Sequence, residues 1–108
     1  LEVELSLSEL GRFSEPALLV LISLADGPKH GYAMQQDIES VTGARPGPGT
    51  LYGAVRRLED LGLISPHETT DARRRPYELT SHGRQQLQAE LERLRVVART
   101  GLRRLATA

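Results

Sequence analysis

The chain has 108 residues, with 14 basic and 14 acidic side chains, no formal net charge, no cysteine and no tryptophan. That length holds one domain with a small core, and with only Phe13, Tyr32, Tyr52 and Tyr77 as aromatics the core must be built from Leu, Val, Ile and Ala. No disulfide framework or thiolate metal site is available, which fits a reducing cytoplasm, and the longest apolar run, 17–22, predicts neither a membrane span nor a signal peptide.

Neutrality of the whole conceals an asymmetry. Residues 1–44 carry two basic side chains against seven acidic ones, a balance of −5, and residues 45–108 carry twelve arginines against seven acids, a balance of +5. A basic half can present phosphate-binding surface while the other half stays acidic.

In chain order, residues 1–13 mix acids with Leu7, Leu10 and Phe13, spaced for one helical face; they read as an N-terminal arm or loose helix. Ser14 is a good N-cap and Pro16 falls in a first turn, so a helix is predicted over 16–25. It is apolar nearly all round, which places it centrally. Asp26-Gly27-Pro28 ends it. A second helix is predicted over 31–41, with Met34, Ile38 and Val41 inward. Lys29, His30 and Tyr32 flank its start. Two readings stand for them: a contact to DNA phosphate at the helix N-terminus, or a turn histidine beside a half-buried core tyrosine.

After a turn at 42–47, marked by Gly43, Pro46 and Gly47, comes PGPGTLYGAVRRLEDLGLI, residues 46–64. Leu51, Val55, Leu58 and Leu61 recur at helical spacing and predict an inward stripe. Pro48 suits a first turn and Gly62 the left-handed position past the end. Thr50, Tyr52, Gly53, Arg56 and Arg57 then lie on the outer faces. Val55 and Leu58 facing inward make Arg56 and Arg57 straddle the outside, within reach of a guanine or a phosphate; Arg56 is also spaced to pair with Glu59 and Asp60. Helix, turn and helix make a DNA-recognition unit, or an ordinary amphipathic pair with solvated arginines.

Strands at 64–69 and 75–79 around a turn at 70–74 predict a hairpin, with Pro66 confined to an edge or strand start. Its tip carries Arg73, Arg74 and Arg75, whose use is phosphate or minor-groove contact unless the tip is a solvated loop. Thr80 caps a last helix predicted over 81–105. There Leu87, Leu91, Leu94, Ala98, Gly101 and Leu105 alternate at intervals of four and three, a heptad-like seam. A helix of about 35 Å outruns so small a body, so homodimerisation through this seam is expected.

HGYAM, GTLY running into RRLEDLGLI, the arginine-rich hairpin and YELTSHG, in that order, resemble the PadR family of bacterial transcriptional regulators, from about Pro16 to the C-terminal helix. The resemblance implies a homodimeric winged helix-turn-helix repressor: mainly α with a small β-hairpin and a long C-terminal dimerisation helix, acting on an inverted repeat in double-stranded DNA. The divisions are then 1–13, an arm; 14–80, the DNA-binding domain; and 81–108, the dimerisation helix. Thr50 and Tyr52 match the family's recognition motif, and Arg73, Arg74 and Arg75 match its basic wing. Some family members stack flat ligands on aromatics of the last helix. No aromatic follows Tyr77 here, so a small-molecule effector, if one acts, is expected in an aliphatic, arginine-bordered pocket near Leu91, Leu94 and Val97.

No nucleophile elbow, phosphate-cradling GxGxxG or P-loop occurs. The expectation is a non-enzyme that needs no cofactor or metal, with a metal at His67, Glu68 and Asp71 as a minor alternative. The competing function is a winged-helix protein-interaction and dimerisation module that binds no DNA.

Overall fold

The computed structural model describes residues 15–68 and 75–107. The N-terminal arm and the wing tip with Arg73 and Arg74 lie outside the described residues. Helix α1, Glu15–Ser23, buries Ala17, Val20 and Leu21 and half-buries Leu18, Leu19 and Ile22. It packs against all three other helices, the central place its all-round apolar sequence predicts. The α-helix is shorter than predicted, because the chain tightens after Ser23 into a 3-10 turn, Leu24–Asp26, and opens at Gly27 with φ +149°. Lys29 explains the tightening. Its ammonium donates to the Ser23 carbonyl and pairs with the Asp26 carboxylate, satisfying an oxygen left open at the helix end.

Helix α2, Gly31–Thr42, starts at His30, whose Nδ1 accepts the Ala33 N–H at 3.5 Å. It ends at Gly43, where φ is +83° and the N–H closes on the Glu39 carbonyl at 2.8 Å. Met34 and Ile38 are buried as predicted, but Val41 is exposed, since the last turn of the helix runs past the core. Helix α3, Pro48–Asp60, buries Leu51, Ala54, Val55 and Leu58. Leu61, predicted inward, is exposed. The helix has ended by then, and the inward direction passes to Leu63 and Ile64 beyond Gly62, at φ +77°.

Strands β1, Ile64–Pro66, and β2, Tyr77–Leu79, pair antiparallel, with Ile64 opposite Leu79 and Pro66 opposite Tyr77. They are shorter than predicted. The sequence reading also lacked a third partner: Lys29 and Tyr77 exchange both backbone hydrogen bonds, at 3.1 and 2.9 Å. Tyr77 thus spends its polar backbone on Lys29, so Pro66 opposite it is asked for no N–H.

Helix α4, Ser81–Thr107, is fastened to the body by its first turn. The Thr80 hydroxyl accepts the Gly83 N–H at 2.9 Å and donates to the Gly62 carbonyl at 2.7 Å, while the Thr80 N–H reaches the Leu63 carbonyl at 3.1 Å. A Cβ on Gly83 would lie 1.9 Å from that carbonyl oxygen, so the helix approaches the chain after α3 more closely than any side chain allows. Leu87 completes the core. From Arg95 on, nearly every described residue is exposed, and the helix projects from the body.

Candidate nucleic-acid interface

Helix α3 separates its faces cleanly, with the buried stripe on one side and Gly49, Thr50, Tyr52, Gly53, Arg56 and Arg57 exposed on the others. The expected pairing of Arg56 with Glu59 and Asp60 is not formed, and neither Arg56 nor Arg57 takes an ion pair among the described residues. Both side chains are exposed. Gly47 caps the helix without a side-chain bond.

Tyr52 is 44% exposed and does not simply point outward. Its hydroxyl lies against Gly31 at the start of α2: a Cβ there would stand 1.9 Å from the phenolic oxygen and 2.5 Å from the ring carbon that bears it. The glycine of HGY is thus the seat of the tyrosine of GTLY. Two motifs far apart in sequence meet at the crossing of the two helices, and Tyr52 is at once a surface residue and a packing residue.

The residues flanking α2 divide. Tyr32 is exposed at 55%, which removes the half-buried core reading. Lys29 is corrected from a phosphate neighbour to a structural clamp, because its charge is committed to Ser23 and Asp26; His30 is the N-cap. The Lys29 ammonium in turn holds the Asp26 carboxyl below its ordinary value. The turn between α2 and α3 is braced by Gln35, whose amide donates to the Pro46 carbonyl at 2.9 Å, and by Thr42, whose hydroxyl accepts the Ala44 N–H at 3.2 Å.

At the wing, Arg75 is exposed beside Pro66, His67 and Glu68, and His67 Nδ1 lies 3.2 Å from the Glu78 carboxylate across the strands. On α4, Leu87 belongs to the core of its own chain, so the outward seam begins at Leu91, 40% exposed, and runs through Leu94 and Ala98 to Leu105, 77% exposed. Val97 and Leu102 are exposed as well, and Leu94 is half-buried. An apolar groove of about 320 Å³ lies among the described residues between Pro16, Leu19, Ile38, Pro46 and Leu51. Where the helix leaves the body, Glu90 is 5% exposed and receives two bonds from Arg93, at 3.0 and 2.9 Å, which hold the Arg93 guanidinium above its usual range.

A helix with two exposed arginines, carried on a helix-turn-helix beside a hairpin, has the architecture of a winged-helix DNA reader. Residues 19–89 match the model of the transcriptional regulator PadR-like family. The chain belongs to the PadR-like family. Over 84 residues it is 39% identical to the transcriptional regulator Rv3488 of Mycobacterium tuberculosis, covering 76% of this chain and 78% of that protein. It is 51% identical over 79 residues to an uncharacterized 37.1 kDa protein in transposon TN4556 of Streptomyces fradiae; the match covers 73% of this chain but only 23% of that protein. A PadR family transcription regulator from Clostridium difficile R20291 superposes with TM-score 0.76 at 21% identity, covering 85% of this chain and 99% of that one. The PadR-like regulator BC4206 from Bacillus cereus superposes with TM-score 0.73 at 18% identity, covering 82% and 89%.

PadR-like proteins are DNA-binding transcription regulators rather than enzymes. Among the described residues of this PadR-like chain, no helix is long and apolar enough to cross a membrane.

The sequence reading missed two features of the interface, the seat of Tyr52 on Gly31 and a cation in the helix-turn-helix turn, Arg45. A glycine as the first residue of the second helix was a legible sign of the first. The second was visible only as a basic residue in a turn.

Proposed function

We propose that this PadR-like protein is a cytoplasmic homodimeric repressor that binds an inverted-repeat operator, one half-site per subunit. The outer face of α3 carries this reading: Thr50, Tyr52, Arg56 and Arg57 are exposed together on a helix whose opposite face is core, and neither arginine pairs with a carboxylate among the described residues. A helix so presented enters the major groove with its arginines toward guanine edges or phosphates. Arg73, Arg74 and Arg75 at the wing reach the flanking backbone, and Tyr32 touches a phosphate from the start of α2.

Dimerisation runs through the projecting part of α4. Leu91, Leu94, Ala98 and Leu105 form the seam and Leu87 supports it from the core. The exposure of Leu91, Leu102 and Leu105 supports this, since a helix burying so little of its apolar surface on its own body is completed by a second copy. Two such heads on one rigid seam set a half-site spacing. A small-molecule effector held between subunits near Leu91, Leu94 and Val97 would change the angle between heads and release the operator.

The test is a mobility shift on the promoter upstream of the protein's own gene, at several salt concentrations, with random duplex as competitor. Salt-sensitive, competitor-resistant binding by two protomers is the expected result. A dimer with no preference over random DNA would point instead to the interaction-module reading.

A further inference from the structure

The most organised polar cluster on the exposed side of the helix-turn-helix is not on α3. Arg45, in the turn between α2 and α3, lies back along α2. Its Nε donates to Glu39 at 2.9 Å, and its guanidinium carbon sits 5.6 Å from the centroid of the Tyr32 ring. The Gln36 amide reaches the Tyr32 hydroxyl at 3.4 Å. Tyr32, Gln36 and Glu39 follow one another at helical spacing, so Arg45 lies over a single stripe of the helix.

The turn that carries Arg45 is braced on both sides, by Gln35 on Pro46 and by Thr42 on Ala44, and Gly43 adopts the left-handed conformation that reverses the chain. Backbone, ring and carboxylate together hold the guanidinium in place, and the Glu39 carboxylate raises its affinity for the proton above the usual arginine range. Charge adds to the picture. Between residues 31 and 47 Arg45 is the one cation, against Asp37 and Glu39. Without it, that stretch keeps only its two carboxylates.

We propose that Arg45 is a DNA-backbone contact held in reserve by Glu39: on the free protein the guanidinium is paired with the carboxylate, and on DNA a phosphate oxygen takes its place. This rests on the DNA-binding reading above and deepens it, by assigning a phosphate clamp on α2 and an internal anion that competes with DNA for it. The exchange is energetically accessible. An exposed carboxylate–arginine pair contributes little to stability, whereas a guanidinium on phosphate makes a charge-assisted and often bidentate contact and releases a condensed counterion. Tyr32 keeps the guanidinium over its ring as the anion changes. Glu39 thereby tempers affinity, and more so for random DNA, where backbone contacts supply nearly all of the binding.

The experiment is a titration of operator and random duplex from 50 to 300 mM salt with the full chain, Arg45→Ala, Glu39→Gln and the double variant, with thermal melts to confirm folding. Arg45→Ala should weaken binding to both duplexes roughly tenfold, the scale of one charged hydrogen bond, and flatten the salt slope by about one. Glu39→Gln should tighten binding by up to about fivefold, the scale of releasing one exposed arginine–carboxylate pair, and lose most of that gain once Arg45 is gone. An unchanged slope for Arg45→Ala, with the unaltered protein binding normally, overturns the clamp. An equal gain from Glu39→Gln with and without Arg45 overturns the competition. Failure of the unaltered protein to bind either duplex overturns the DNA reading itself, and is seen in the same titration before any variant is compared.

Discussion

The Tyr52 hydroxyl occupies the place where a side chain on Gly31 would begin: a Cβ at residue 31 would stand 1.9 Å from it. Because α2 and α3 cross at this contact, the glycine of one motif sets how the tyrosine of the other is presented. Gly31→Ala forces the ring aside and should cost about 1–3 kcal/mol in urea unfolding, the usual scale of overpacking. The cost should fall sharply in a Tyr52→Ala background, since residues in contact are not additive. Equal costs in both backgrounds would show that the methyl clashes with something else.

Gly83 and Gly101 lie in the same helix and should answer oppositely to alanine. A Cβ at Gly83 meets the Leu63 carbonyl, a backbone atom unable to rotate away, whereas one at Gly101 meets nothing within 4 Å. Helix propensity alone favours alanine by about 0.8–1 kcal/mol. Gly101→Ala should approach that gain in a monomeric background, and Gly83→Ala should be destabilising by about 2 kcal/mol or more despite it. Denaturant midpoints of the two variants decide the matter by sign.

Gly53 sits inside α3, exposed, with open space where its Cβ would be. The fold itself has no use for a glycine there, so Gly53→Ala should raise stability by about 0.5–1 kcal/mol. If α3 lies in the major groove, the same methyl stands between helix and base edges, and operator affinity should fall several-fold while stability rises. Gains in both would argue against close approach at this turn of the helix.

Leu102 and Leu105, 69% and 77% exposed, touch little of their own chain. Replacing both by Asp should leave the helical signal of the heads intact and convert a dimer to monomer by light scattering. Leu87→Ala is the contrast. It empties a core position and should cost about 2–5 kcal/mol.

The Lys29 clamp makes one contribution to stability pH-dependent. Lys29 holds the Asp26 carboxyl below its ordinary value of 3.8, mainly by hydrogen bond and then by charge. A carboxyl depressed in the folded state stabilises it above the unfolded pKa, and the benefit is lost as pH falls through the folded one. Asp26→Asn should therefore lower the melting temperature at pH 7, by a small amount for so exposed a pair, and the difference should close as pH falls through the depressed folded-state value. A difference that persisted in acid would assign it to hydrogen bonding rather than charge.

Helices α2 and α3, the cap at Thr80, the turn at Gly43, the hairpin and the exposed arginines of α3 were legible in the sequence because each is written locally, in apolar spacing and in residues with restricted backbone preferences. The ordered HGYAM, GTLY and YELTSHG motifs carried the family on the same basis. What the sequence left open depends on how elements approach one another. Periodicity carried Leu61 inward, but the helix ended first; it put Leu87 and Leu91 on one seam, but the body of the chain covers only the first. Lys29 beside a helix start looked like a phosphate ligand until the fold brought the Ser23 carbonyl and Asp26 to its ammonium. Gly31 and Gly83 read as helix-start residues, and only packing shows that each is the absence of a side chain where Tyr52 and the Leu63 carbonyl must stand. Local preference determined what each segment is. Steric exclusion and the satisfaction of buried polar groups between distant segments decided which side chains remain free to meet another molecule.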